Sequence, residues 1–157
     1  MRQTLENRNS YYEGLAQNLY CGSSGCFQSF MRFFYQLNQS LVFDEKNATV
    51  FQTLCDIEIE NCKMLCNVIL NLGGDNKFYS SSKKFLSGYS VDYTKNSSQM
   101  YVADIEMLEV QMIETKNCIY KIENEKIKSV IKKLLENKKK SLKILRENYF
   151  KNNLIKK

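Results

Sequence analysis

Two polar side chains, Glu58 and Asn61, stand inside the apolar stripe of a helical stretch that runs from residue 53 to residue 75. Residues three apart on a helix lie on one face, one turn from each other, so these two side chains meet. A carboxylate in such a stripe needs a partner. Helix bundles place metal-binding carboxylates and histidines at this spacing. The stretch therefore predicts a polar site inside a bundle of helices.

Histidine is absent from the sequence. Imidazole is the commonest general base in enzymes and the commonest protein ligand of transition metals. Its absence excludes Ser/His/Asp and Cys/His catalytic sites, and it excludes any zinc site that requires imidazole. Carboxylates and thiols remain as the groups that could do chemistry.

Five of the six cysteines are candidates for soft-metal binding or redox chemistry: Cys21, Cys26, Cys55, Cys62 and Cys66. The last three occupy adjacent faces of one helical stretch, and thiolates so arranged could bind Cu(I) or Zn(II). Free cysteine is also among the most buried residue types, because it packs as a small hydrophobe. Both interpretations stay open, and simple packing is the commoner of the two.

No apolar run approaches the roughly 18 residues that a membrane span needs, and residues 1–10 lack the apolar segment of a signal peptide. We therefore expect a soluble, cytoplasmic protein without a membrane contact. In that compartment the cysteines stay mostly reduced.

Four helices are predicted within a single domain that spans residues 1–157, and they cover residues 11–38, 47–72, 98–122 and 125–152. The absence of proline favours such long helices. The first helix contains the sequence CGSSGC at 21–26, where each glycine costs about 1 kcal/mol relative to alanine. The apolar period passes through this segment without a phase shift, so we expect a continuous helix; a loop that splits it is the alternative.

The second helix should end at Gly73 and Gly74, the residues expected where a chain leaves a helix in a left-handed conformation. About 22 residues without helical period follow, from 75 to 96, which is long for a connection inside a compact domain. This segment is therefore expected to cross the length of the bundle. Two short links and one long crossover predict an all-α four-helix bundle.

Each predicted helix interrupts its apolar stripe at a similar depth. In the third helix the predicted stripe is Val102, Ile105, Glu109, Met112, Lys116 and Ile119, and in the fourth it runs from Ile127 to Tyr149 through Lys138. The polar positions of the four stripes are Cys26, then Glu58 and Asn61, then Glu109, then Lys138 with Ser141. Four interruptions at one depth indicate a site, or the remains of one.

Three segments make the chain resemble the ferritin-like proteins, in particular the rubrerythrin-like and manganese-catalase-like branch. They are ILNLGGD at 69–75, FLSGYSVDY at 85–93 and DIE at 104–106. The resemblance implies a ferritin-like bundle with its long crossover between the second and third helices, and pairing into a homodimer. It also implies two iron or manganese ions used in peroxide or oxygen chemistry, held by a Glu from each of two helices and a Glu-x-x-His from each of the other two.

Carried onto this sequence, the resemblance places the family's ligands at the six interrupting positions: Cys26, Glu58, Asn61, Glu109, Lys138 and Ser141. Two of the six ligands, both glutamates, would remain. A lysine among them would neutralise the carboxylates and repel metal cations. We therefore expect a ferritin-like protein that has lost its di-iron or di-manganese site, binds no cofactor, and serves as a non-catalytic scaffold or interaction protein with an unknown partner.

Several alternatives stay open. Glu58 and Glu109 could instead face solvent, and the long stem of Lys138 could carry its ammonium outward. An iron- or manganese-dependent oxidoreductase would need an unorthodox site built from Cys26, these two glutamates and tyrosines such as Tyr20 or Tyr35. The basic residues from 126 to 157 could contact nucleic acid, but such a run is more often a solvated helix face, so no nucleic-acid partner is expected.

Overall fold

The structure, a computed structural model, describes residues 9–154, so both ends of the predicted domain lie outside the described part. The described residues form five α-helices and one short 3-10 helix, Gly88–Ser90. The α-helices are α1 (Ser10–Cys21), α2 (Cys26–Phe43), α3 (Glu45–Asn71), α4 (Ser97–Lys121) and α5 (Glu125–Leu154). Between residues 9 and 154 there is no helix long and apolar enough to cross a membrane.

The helices pack as a four-helix bundle in which α2 lies along α3 and α4 lies along α5, while α3 also contacts α5. Helix α1 packs against α3 and contacts the start of α2, so α1 and α2 together take the place of the first helix of the bundle. We call each of the four helical segments of the bundle an arm, and α1 with α2 is the first arm. A long connection between α3 and α4 joins the two antiparallel pairs. This is the predicted all-α topology, with its long crossover between the second and third arms.

The prediction of one continuous helix over 11–38 is wrong, because the first arm breaks between Cys21 and Cys26. Gly22 ends α1 with extended backbone and donates its N–H to Asn18 O at 2.8 Å. A Cβ atom added to Gly22 would lie 2.5 Å from that same oxygen, and one added to Gly25 would lie 2.6 Å from Tyr20 O. The two glycines therefore permit a tight break that an apolar period alone does not reveal.

Helix α3 ends where the sequence predicts. Gly73 has a φ of 77° and donates its N–H to Leu70 O at 3.0 Å, and Gly74 donates to Ile69 O at 2.9 Å. These two bonds form a Schellman motif, which needs a left-handed residue after the helix. The start of α3 lies two residues before the predicted position, with Asp44 at the N-cap.

The register predicted for the third helix is wrong by one residue. The buried face of α4 contains Met100, Tyr101, Asp104, Leu108, Gln111, Thr115 and Cys118. Val102 and Glu109, both in the predicted stripe, are exposed. Three buried positions are polar and several apolar residues face solvent, for example Val110 and Ile113. Hydrophobic periodicity therefore gives a misleading phase for this helix.

The buried apolar side chains form two clusters at opposite ends of the bundle. The α1 core contains Ala16, Leu19, Leu65, Ile69, Ile131 and Leu134 among others. The α2 core contains Phe33, Leu37, Phe51, Leu54, Leu108 and Leu145 among others. Between them lies a central polar layer, which consists of Ser29, Glu58, Asn61, Gln111, Lys138 and Ser141. Each of the four arms contributes to this layer.

Candidate functional site

An ion pair between α3 and α5 forms the middle of the central polar layer. The Lys138 ammonium donates to Glu58 Oε1 at 2.9 Å and Oε2 at 3.0 Å, and to Gln111 Oε1 at 2.6 Å. The side chain of Lys138 is 2% exposed and that of Glu58 is 0% exposed. Lysine and glutamate are almost never fully buried unless they are paired. This pair uses all three donors of the ammonium and both carboxylate oxygens.

Amides extend the pair into a network that reaches the outer side of α5. Asn61 donates from Nδ2 to Glu58 Oε2 at 3.2 Å and accepts at Oδ1 from Asn137 Nδ2 at 2.8 Å. On the opposite side, Gln111 donates from Nε2 to Ser29 Oγ at 2.7 Å. A buried charge pair is tolerated only when such further hydrogen bonds satisfy its remaining polar groups.

The ammonium of Lys138 stays charged in this environment. Burial by itself would lower its pKa, but the Glu58 carboxylate, which accepts two of its hydrogen bonds, outweighs this effect and holds the pKa above its usual range. Lys138 is therefore a permanent cation at the centre of the bundle. Lys138 lies in the stripe that the sequence predicts for the last helix. The burial of its side chain excludes the alternative in which the ammonium is directed outward to solvent.

Four of the six predicted positions come together around this pair, and a fifth lies one turn away. Cys26 is 1% exposed, and burial raises the pKa of its thiol to about 12, with Lys138 opposing and Glu58 reinforcing the shift. Ser141 follows Lys138 by three residues, is fully buried, and its Oγ has no hydrogen-bond partner among the described residues. Glu58, Asn61 and Lys138 are joined directly.

The sixth position, Glu109, is not in the layer, so its assignment to the interior is corrected. It lies on the exposed side of α4, where Oε1 accepts from Arg146 at 2.5 Å and the two side chains are 46% and 51% exposed. Gln111 takes the inward position, and the sequence analysis missed it. The signal that identifies it is the alternative α4 stripe, which reads Asp104, Leu108, Gln111 and Thr115.

A second buried charge pair lies beside the layer, toward the α2 core. Arg32 Nε is 2.6 Å from Asp104 Oδ1, and the same guanidinium reaches Asp92 of the crossover at 3.3 Å. Gln36 donates from Nε2 to Asp104 Oδ1 at 3.1 Å. Asp104 is fully buried, and burial raises its pKa to about 6 although Arg32 and Gln36 oppose the shift. Asp104 is absent from the stripe that the sequence predicts for this helix, so its place in the interior is another result of the one-residue error in register.

The candidate thiols are all free, and most are protonated. Burial raises the pKa values of Cys21 and Cys55 to about 12, and it also raises the pKa of Cys62 strongly. Tyr20 is hydrogen-bonded to Cys66, and burial raises the pKa of its hydroxyl well above the usual range. Thiolates are the form that binds metals and attacks disulfides. The environment of these cysteines therefore favours packing over soft-metal or redox chemistry.

We expect a thiol reagent such as 5,5′-dithiobis(2-nitrobenzoate) to label Cys21, Cys26 and Cys55 in the folded protein at pH 7 at least about a hundredfold more slowly than free cysteine. Only half-buried Cys66 should label readily, and Cys66→Ser should remove that fast phase. All six cysteines should react after unfolding in guanidinium. Fast labelling of two or more cysteines in the folded protein would contradict this interpretation.

The layer does not fit a pair of divalent cations. Such ions need several carboxylate or imidazole ligands, whereas this layer offers one carboxylate, already bound to an ammonium, together with neutral amides and hydroxyls. Among residues 9–154, no group of three or more His, Cys, Asp or Glu side chains is placed to hold a metal ion.

Neither a protein-family model nor a curated protein matches this sequence. The structure is similar to the crystal structure of a manganese catalase from Anabaena, with a TM-score of 0.77 over 98% of this chain and 80% of that chain. The two sequences are 14% identical over this match, and at that identity the likeness shows the fold alone. The chain therefore has the fold of the ferritin-like proteins, an all-α four-helix bundle with one long crossover.

Proposed function

We propose that this chain is a ferritin-like protein in which the Lys138–Glu58 pair has replaced a di-metal centre, and that it serves as a non-catalytic scaffold or interaction protein. The observation that carries the proposal is the buried Lys138 ammonium, which donates to both oxygens of Glu58. The fold supports the comparison with metal-binding bundles, and the side chains at its centre support the loss of the metal.

The charge at the centre of the bundle opposes a di-metal site. Two divalent cations bring a formal charge of about +4, which family members neutralise with several carboxylates. Here the one carboxylate in the layer is neutralised by Lys138 itself. A divalent ion that entered would meet a fixed ammonium instead of free ligands, and charge repulsion within a low-dielectric interior is severe. The cation at the centre thus substitutes for the metal as the partner of Glu58.

The competing oxidoreductase hypothesis requires ligands that the structure separates. Glu109 is paired with Arg146 on the surface, away from Glu58. Tyr35 donates to Tyr93 O of the crossover at 3.4 Å, and Tyr20 contacts Cys66 near the α1 core. These groups do not surround a common point with Cys26 and Glu58, so we do not favour an unorthodox iron or manganese site.

We also propose that the protein works as a homodimer in a reducing compartment such as the cytoplasm. Phe34 and the apolar residues of the last turn of α2, Leu41, Val42 and Phe43, are exposed, and this apolar surface supports an association with a second copy. Six free cysteines, most of them packed in the interior, support a compartment in which thiols are not oxidised.

Metal analysis tests the loss of the di-metal site. We expect well below one iron or manganese ion per chain after the unfolded protein is refolded with either ion in excess and desalted, because Lys138 occupies the centre. The measurement is elemental analysis by mass spectrometry, together with an assay of peroxide decomposition. A matched Glu58→Gln variant is the control, since it should give the same background values. Two ions per chain, lost in Glu58→Gln, would overturn the proposal.

A further inference from the structure

A cavity of about 750 Å³ lies between the first arm, the crossover and α4. Its walls come from the 22–25 loop that breaks the first arm, from residues 80–90 of the crossover and from the last turns of α4. Pockets for small organic ligands usually measure about 300–1,000 Å³. No residue of the central polar layer lines this cavity, so a function of the cavity is separate from that layer.

The inner part of the cavity is apolar. Its lining includes Leu15, Leu19 and Cys21 from α1, Leu86 from the crossover and Cys118 from α4. Burial raises the pKa values of both thiols, so they present uncharged S–H groups. The aromatic rings of Phe85 and Tyr89 lie at the solvent-exposed edge of the cavity, since these residues are 67% and 96% exposed. This surface suits a hydrocarbon or an aromatic ring.

The outer part is polar and carries two lysines. Serine hydroxyls come from the 22–25 loop and from the crossover, and the lysines are Lys84 and Lys121. Within the described part of the chain, neither ammonium has a carboxylate within 4.0 Å. Glu114 also lines the cavity, and burial raises its pKa. Two lysines against one glutamate leave an excess of positive charge at this end.

The crossover turn beside these lysines is held in an uncommon conformation. Lys83 has a φ of 62°, in the left-handed region that non-glycine residues seldom adopt. Its N–H donates to Ser80 O at 2.9 Å, and Ser80 N–H donates to Lys84 O at 2.9 Å, which closes a tight turn. The turn places Ser80, Ser82 and Lys84 along the cavity. Backbone strain of this kind is often kept at ligand-binding sites.

We propose that this cavity binds a small amphiphilic anion, with the apolar body of the ligand against α1 and α4 and its sulfonate, phosphate or carboxylate group at Lys84 and Lys121. The combination of an apolar interior, hydroxyl donors and two ammonium groups that have no ion-pair partner between residues 9 and 154 carries the proposal. It stands independently of the loss of the di-metal site.

Fluorescence titration with 8-anilinonaphthalene-1-sulfonate tests the proposal, because this probe has an aromatic body and one sulfonate. We expect saturable binding of one probe per chain. The double variant Lys84→Glu/Lys121→Glu should weaken binding about tenfold or more, since both charge-assisted contacts are lost. Glu114→Gln should strengthen binding, because it removes the opposing carboxylate. Ser24→Trp should block the cavity from the loop side.

Lys63→Glu is the matched control, because Lys63 lines a different apolar groove of about 540 Å³ with Phe27 and Phe30. This variant should bind the probe as the unchanged protein does. Lys84, Lys121 and Lys63 are all exposed, so the three charge reversals should leave the helical circular dichroism spectrum intact. An unchanged affinity in the double variant, or an equal loss in Lys63→Glu, would overturn the assignment of the ligand to this cavity.

Discussion

Replacing Lys138 with methionine should lower the free energy of unfolding by about 3–5 kcal/mol. The change leaves the Glu58 carboxylate fully buried without its cation, and breaking one side of a buried ion pair has a cost of about this size. Gln111 Oε1 also loses the hydrogen bond that Lys138 donates to it and keeps only the one from Ser29 Oγ. Urea denaturation followed by circular dichroism measures the loss.

The control for this change is Lys139→Met, one residue along α5. Lys139 pairs with Glu136 at the surface with its side chain 48% exposed, so its loss should cost less than about 0.5 kcal/mol. The double variant Glu58→Met/Lys138→Met should recover most of the stability, because an apolar pair of similar volume needs no desolvated charge. If Lys138→Met cost less than about 1 kcal/mol, the buried pair would not have the energetic role assigned to it.

Replacing Arg32 with methionine should cost about 3 kcal/mol at pH 8 but only about 1 kcal/mol at pH 5. The pKa of Asp104 is about 6 in the folded protein, above its value in an unfolded chain, so the folded state gains a proton as the pH falls. Ionised Asp104 therefore costs stability above pH 6, and each further unit of pKa elevation adds about 1.4 kcal/mol to that cost. Without Arg32 the pKa of Asp104 rises further, so the free energy of unfolding that Arg32→Met loses increases with pH. At pH 5 Asp104 is mostly protonated in either protein.

Urea denaturation at the two pH values measures this dependence. Arg146→Met is the matched control, because Arg146 also pairs with an acidic residue of α4 but does so at the surface, where its side chain is 51% exposed. Its effect should stay below about 0.5 kcal/mol at both pH values. An effect of Arg32→Met that is equal at pH 5 and pH 8 would show that Asp104 does not change its ionisation in this range.

The sequence was sufficient to predict the buried face of those helices whose stripes are strongly apolar. In α3 and α5 the polar residues that interrupt the stripe are few, so Glu58, Asn61 and Lys138 keep the phase set by their leucine and isoleucine neighbours. The double glycine after α3 and the long crossover also follow from local chemistry. For these elements the single sequence contains the information that the fold uses.

The sequence was not sufficient to predict the buried face of a helix where residues on other helices determine which face turns inward. The inward face of α4 includes Asp104 and Gln111 because Arg32 and Lys138 on other helices bind them. No periodicity within α4 can show those partners. The break at 22–25 was missed for a similar reason, since the apolar residues on both sides of it keep one phase while Gly22 and Gly25 change the backbone.

The crossover illustrates a third limit. Its composition predicts a loop, but the cavity between residues 80–90, α1 and α4 depends on where that loop lies in the fold. Lys84 and Lys121 are far apart in sequence, and only the folded chain places both on one cavity. A site of this kind has no local signature from which a single sequence could identify it.

The central polar layer also determines how the helices align along their axes. Two helices with purely apolar faces can slide past each other by one turn, about 5.4 Å, and still bury leucine against leucine. In this bundle the same slip would move Lys138 away from Glu58 and leave two opposite charges unpaired in hydrocarbon. The layer therefore penalises shifted packings of α5 on α3, and a single buried ion pair selects one axial alignment of the bundle.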